Sequence, residues 1–173
     1  MKKTFKAELT AAFDGIRIKT PEAYRMVITV KKEAVLSVLS FLKNNGYDHL
    51  ALISCVDRIA KKTFELVYIL SAYMADDEKP TENEKWNIIL KTNIPRETPK
   101  FLSVIPIFVN AEPYEREIHE LFGVHFEGHP RLTPLLLERA YKTPPFRKDF
   151  DTRRYVKKTF ESIPPVEKKA VKP

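Results

Sequence analysis

Tyr114-Glu115-Arg116-Glu117-Ile118-His119-Glu120-Leu121-Phe122-Gly123-Val124-His125-Phe126-Glu127-Gly128-His129-Pro130 is the most informative stretch of this 173-residue chain. Ile118, Leu121 and Phe122 fall on one apolar stripe at helical spacing. On that reading Glu115, Arg116, Glu117 and Glu120 cover much of the remaining helix surface, and the early acids suit the positive helix N-terminus. The helix starts near residues 110–113 and stops at Gly123, which can take the left-handed C-cap conformation. Gly128 followed by His129-Pro130 predicts a second sharp turn, because a residue before proline is biased to extended geometry.

Upstream of this helix the chain alternates between short helices and strands. Phe5, Leu9, Ala12 and Phe13 recur at helical spacing before Gly15. Tyr24, Met26, Ile28 and Val30 alternate with polar residues, as a half-buried strand does. Val35, Val38, Leu39 and Leu42 mark an amphipathic helix ended by Asn44-Asn45-Gly46. Residues 50–56 are almost continuously apolar and read as a central strand. Residues 64–70 and the alternating Trp86, Ile88 and Leu90 give two more strands, separated by an acidic loop at 75–84. Thr98-Pro99 is a good N-cap and N1 pair, so a short helix is expected up to the interruption at Pro106. The resulting fold class is α+β: a mixed sheet of about four strands flanked by helices, with an extended C-terminal arm.

Composition bounds the function. The chain carries 30 Lys+Arg against 23 Asp+Glu, a net +7, but residues 142–173 alone hold +6 of it. Two units follow: an α+β body over 1–141 and a basic, proline-containing arm over 142–173, which has little core and is expected to be ordered by a partner. A pI of 9.4 raises nucleic acid as a ligand, but the strands lack the aromatic platform of an RNA-recognition fold. The single cysteine, Cys55, rules out an internal disulfide and an iron–sulfur site, which takes about four thiolates. It lies in the apolar run at 50–56, where a small buried hydrophobe is expected. No apolar run reaches the ~18 residues of a membrane span and no signal-peptide h-region is present, so a soluble protein of a reducing compartment is expected. Abundant Lys and Glu, with no Gln, lean towards a heat-adapted source.

Catalytic motifs are not evident. His119, His125 and His129 sit close together, but a zinc-hydrolase helix needs two His at i and i+4 on one continuous turn. His119 and His125 are separated by Gly123, and His125 and His129 flank Gly128, so turn capping or pairing with acids is the expectation for these rings. The chain has no G-x-S-x-G elbow, no P-loop and no G-x-G-x-x-G, with only four glycines in all.

The run Glu115-Arg116-Glu117-x-x-Glu120-x-Phe122-Gly123-x-x-Phe126-x-Gly128-His129-Pro130-x-Leu132, followed by Arg147-Lys148-Asp149-Phe150, resembles the signature of the hydrophilic 30-kDa-type subunit family of respiratory complex I, NADH:quinone oxidoreductase. The same family occurs in related membrane-bound [NiFe] hydrogenases. Here Glu120 stands where the family usually has Asp, Arg131 replaces a common Asp, and Thr143-Pro144-Pro145-Phe146 replaces Gly-His-Pro-Leu. These departures point to a divergent relative, an energy-converting, ferredoxin-linked [NiFe] hydrogenase, with a quinone-reducing complex I as the alternative.

The resemblance implies a structural subunit without its own active site or cofactor, on the cytoplasmic side of the cell membrane. It implies Fe–S clusters, and in the hydrogenase case a NiFe centre, in partner subunits. Those partners are a large hydrogenase-like or quinone-site subunit and a small Fe–S subunit; the membrane is reached only through the complex, and no nucleic acid is bound. The matching positions Glu115, Arg116, Glu117, Glu120, Phe122, Gly123, Gly128, His129, Pro130, Arg147, Lys148 and Asp149 are then expected to shape the turns and the partner contact surface.

Overall fold

A computed structural model describes residues 5–22, 24–72, 87–137 and 141–159. The acidic loop expected at 75–84, and Trp86, lie outside these residues. The chain opens with helix α1 (Phe5–Ala12), which buries Phe5 and Leu9 as its periodicity requires. Strands β1 (Arg17–Glu22) and β2 (Arg25–Thr29) follow, then α2 (Val35–Asn44), which buries Val35, Val38, Leu39 and Leu42. The long strands are β3 (His49–Arg58), β4 (Thr63–Ser71) and β5 (Asn87–Pro95). Strand β6 (Lys100–Leu102), helix α3 (Ala111–Phe122), strand β7 (His125–Glu127) and helix α4 (Thr152–Thr159) complete the order.

The main sheet is mixed and five-stranded, in the order β1-β2-β5-β4-β3. Only the β2–β5 pair is parallel. Alternation decides its inner face: Met26 and Ile28, Phe64, Leu66, Tyr68 and Leu70, and Ile88, Leu90 and Ile94 are all buried. Against that face lie α2 and α3, and α2 is packed through Phe41 by Phe5 of α1 and by Phe13 just past its end, whose rings lie 6.4 and 5.5 Å from that of Phe41.

Four local expectations are corrected. The apolar run at 50–56 lies in an edge strand, not a central one. A bulge between Leu50 and Leu52 shifts its phase, so Ala51 and Leu52 face outward while Ile53, Cys55 and Asp57 face the core. Side chains blunt this edge: Asn110 Nδ2 and Tyr114 OH donate to the Leu50 and Ala51 carbonyls.

Secondly, Tyr24 does not start a buried strand. It has φ of +59° and an exposed ring in the β1–β2 turn. Strand β1 itself has no apolar alternation to announce it; Arg17, Lys19 and Pro21 suit an exposed edge.

Thirdly, Thr98-Pro99 begins no helix. Residues 100–102 form β6, parallel to β7, with His125 N–H donating to the Pro99 carbonyl and Ser103 N–H to that of Glu127. Phe101 and Phe126 face each other in this ladder and are both buried, and the long-range pairing outweighs a local cap signal.

Finally, α3 ends where expected, but Glu115 and Arg116 are not surface residues: they are 0% and 9% exposed. Cys55 is buried as expected, and burial, with the Asp57 charge, pushes its thiol up to about 12.

Candidate functional site

The signature residues gather around α3, the turns that follow it and the first residues of the arm. Each charged group with a described contact is turned onto its own chain. Glu115 accepts from Ser103 Oγ and from the Val104 amide, both at 2.7 Å. Burial raises its pKa above the usual carboxylate value, against the pull of these two bonds.

Arg116 does not form the bidentate carboxylate pair its acidic neighbours suggest. Its Nε and Nη2 donate to the carbonyls of Thr133 (3.1 Å) and Pro134 (2.9 Å), and Glu112 is a longer contact at 3.4 Å. Glu120 accepts three successive amides, from Leu135 (3.0 Å), Leu136 (2.9 Å) and Leu137 (2.6 Å). Its burial would raise the carboxyl, but these bonds and the Arg116 charge hold it below the usual value. Glu117, on the same helix, is only half-buried.

Two glycines make the turns. Gly128 has φ of +84°, and His129 after it bridges two backbone groups. Its Nε2 lies 3.2 Å from the Glu112 carbonyl and its Nδ1 accepts the Arg131 amide at 3.0 Å. That network assigns the proton to Nε2. Pro130 is exposed on the outside of the turn. His119 Nδ1 reaches the Val124 carbonyl at 2.8 Å, and among the described residues no three His, Cys, Asp or Glu side chains are arranged to hold a metal ion.

Gly123 is needed twice. Its φ is +77°, and a Cβ there would meet Arg147 Nη2 at 3.0 Å and Pro144 Cγ at 3.1 Å. Gly123→Ala should therefore cost ~1–3 kcal/mol from crowding beyond its left-handed strain. Gly46→Ala is the control, because its φ is +91° and nothing lies within 4 Å of its Cβ. Thermal unfolding of the two variants checks this; equal losses would mean that the arm contact contributes nothing.

Within the arm over 142–173, which is expected to be ordered by a partner, the Arg-Lys-Asp is docked on the body of its own chain. Arg147 Nε donates to the Phe122 carbonyl at 2.6 Å, and its guanidinium lies 5.2 Å from the centre of the Phe64 ring. Phe122 links Phe64 to Phe146, with edge-to-face ring distances of 5.9 and 5.8 Å. Lys148 contributes its amide, donating to Asp57 Oδ2 at 2.9 Å. Asp149 pairs with Arg96 at 2.6 Å, and Arg96 in turn holds Asp57 through two bonds of 2.9 and 3.0 Å. Beyond it, Tyr141, Phe150 and Tyr155 form an aromatic cluster with ring centres 5.1–5.9 Å apart, and α4 presents Arg153, Arg154, Lys157 and Lys158.

Sequence reasoning missed Asp57, Arg96, Ser103 and Glu112. Asp57 carried a signal: it continues the buried phase of Ile53 and Cys55, where a charge requires a partner. Arg96 carried none, being 39 residues away, just past the end of β5, which β4 separates from β3 in the sheet.

Comparison with known proteins matches residues 28–156 to the family described as respiratory-chain NADH dehydrogenase, 30 Kd subunit. The chain is 35% identical to a subunit of the F(420)H(2) dehydrogenase of Methanosarcina mazei over 124 residues, covering 70% of this chain and 73% of that relative. It is 33% identical to a subunit of the NADH-quinone oxidoreductase of Paraburkholderia xenovorans over 174 residues, covering 98% and 84%. Among solved structures, a chain of the membrane-bound sulfane sulfur reductase, an archaeal respiratory membrane complex, superposes with a TM-score of 0.78 at 25% identity, covering 95% of this chain and 94% of that one.

Proposed function

The chain belongs to the 30-kDa subunit family of respiratory-chain NADH dehydrogenase, and on that premise we propose that it is a non-catalytic frame of the peripheral arm of its complex. It is one subunit of a complex I-related, membrane-bound respiratory oxidoreductase. The observation that carries the structural role is the use of the signature charges. Glu115 ties α3 to residues 103–104, Arg116 and Glu120 tie it to the loop at 133–137, Arg147 ties it to the arm, and Asp149 ties the arm to Arg96, instead of converging on a reacting centre.

On this reading the protein holds a large hydrogenase-like or quinone-site subunit and a small Fe–S subunit at the cytoplasmic face, and those partners carry the Fe–S clusters. Among the described residues no helix is long and apolar enough to cross a membrane, which agrees with attachment through the complex. The terminal reaction we favour is that of an energy-converting, ferredoxin-linked [NiFe] hydrogenase that translocates ions, supported by the departures at Glu120, Arg131 and residues 143–146. The quinone reductase alternative draws support from the near full-length match to an NADH-quinone oxidoreductase subunit.

Affinity isolation of the tagged chain from its native membrane tests the assignment. An Fe–S subunit and a large subunit with nickel-binding cysteine pairs should co-purify; a large subunit without those pairs would select the quinone reading, and a lone monomer would overturn both. Cutting the chain after Tyr141 removes Arg147, Asp149 and the cationic helix α4, and should leave the body folded with incorporation into the complex weakened. Normal assembly of the truncated chain would show that the arm's contacts serve this chain alone and not its incorporation.

A further inference from the structure

We propose that the loop at residues 133–137 is a preformed knob that seats Leu135 and Leu136 in an apolar socket on a neighbouring subunit. The proposal rests on the reading above, that this chain is one subunit of a larger complex, and assigns one site within it. Leu135 and Leu136 are 39% and 61% exposed, yet the backbone that carries them is fixed. Glu120 takes the amides of Leu135, Leu136 and Leu137, and Arg116 takes the carbonyls of Thr133 and Pro134. Five successive residues thus have a main-chain group tied to α3, although none of them lies in a helix or strand.

This geometry has two consequences. An untethered loop with two exposed leucines can turn them inward; here the tethers hold them towards water. The ordering entropy that a loop normally loses on binding is also already spent in the free chain, which favours a preformed contact. The chemistry of the partner follows from what the loop still offers. Its tied amides and carbonyls are committed to α3, so recognition falls to the two leucine side chains and the exposed Pro134. The socket is therefore apolar. A nucleic acid would call for cations at the centre of the surface, not leucines.

The test uses the tagged full chain in its native complex. The double variant Leu135→Ser/Leu136→Ser should reduce the co-purifying subunits about tenfold or more, as loss of a central apolar anchor does. Its thermal midpoint should change little, because Leu136 is mostly in water and Leu135 partly so, and Leu136→Ser alone, at the more exposed position, should leave it at the wild-type value. Glu120→Ala should reduce co-purification in the same direction and accelerate hydrogen exchange at the Leu135, Leu136 and Leu137 amides, with Glu120→Asp partly restoring both. A photoreactive residue at position 136 gives a readout independent of folding: a crosslink to another subunit of the complex supports the proposal. A crosslink only to lipid, or to a second copy of this chain, overturns it. Full co-purification by the double variant overturns the knob and leaves the assignment to a complex intact; a wild-type chain that brings down no other subunit overturns both.

Discussion

Replacing Arg96 by alanine should cost the folded chain about 3–5 kcal/mol, the usual result of stripping one partner from a buried ion pair. The Asp57 side chain is 2% exposed and sits at the inward-facing end of β3. Burial pushes its carboxyl up, but the Arg96 bonds, the Lys148 amide and their charges hold it below the usual value. Without Arg96 the carboxylate keeps only the Lys148 amide, and Asp149 loses the contact that fastens the arm. Arg96→Lys should recover part of the loss, because one ammonium cannot reproduce the fork that spans both Asp57 oxygens and reaches Asp149. Arg25→Ala is the contrast: its pair with Glu22 is exposed on both sides and should be worth ~0–1 kcal/mol. Urea unfolding of the three variants measures this. An Arg96→Ala loss no larger than that of Arg25→Ala would show that the cluster does not join the arm to the body.

Much of this architecture could be read ahead of the structure, and the misses share one cause. Helices α1, α2 and α3 have strong 3.6-residue apolar stripes and glycine or Asn-Gly stops, so local sequence determined them. Strands β4 and β5 alternate cleanly and were equally legible. Strand β6 was not: three residues decide nothing locally, and Phe101 becomes strand only because Phe126 lies beside it 25 positions later. The outward side of β3 was hidden for a similar reason, since a bulge between Leu50 and Leu52 changes which residues of an apolar run face water.

In the site, the signature pointed to the right segments and misjudged their orientation. Glu115 and Arg116 were placed on the helix surface because charge normally marks the solvent side. What buries them is the return of the chain: residues 103–104 come back over Glu115 and residues 133–134 over Arg116. Neither contact has a periodicity that a sequence pattern could show.

Glu115 should give the chain a pH dependence opposite in sign to that of Asp57, Glu120 and Asp149. Burial leaves its folded pKa above the unfolded value, so between the two the native state binds the extra proton. Its contribution is fully present below the unfolded carboxylate pKa of about 4.3 and is lost as pH rises through the folded value, with a slope of at most ~1.4 kcal/mol per pH unit. Asp57, Glu120 and Asp149 are held down instead. They stabilise the fold above their unfolded values, near pH 4, and lose that contribution as pH falls through their folded ones. Wild-type stability should therefore climb out of the acid range and then bend downward where Glu115 ionises. Glu115→Gln should keep the climb and lose the bend. Its amide oxygen can still accept the Val104 N–H, and the Ser103 hydroxyl can rotate to accept from the new amide group. Glu115→Ala has no such recourse. It leaves a buried amide and a hydroxyl without their acceptor and should cost ~2–6 kcal/mol at any pH, from about 1–3 kcal/mol for each orphaned group. Urea midpoints from pH 3 to pH 8 separate the cases. If the wild-type and Glu115→Gln curves run parallel across that range, the carboxyl titrates as an ordinary surface acid and its burial has no energetic consequence.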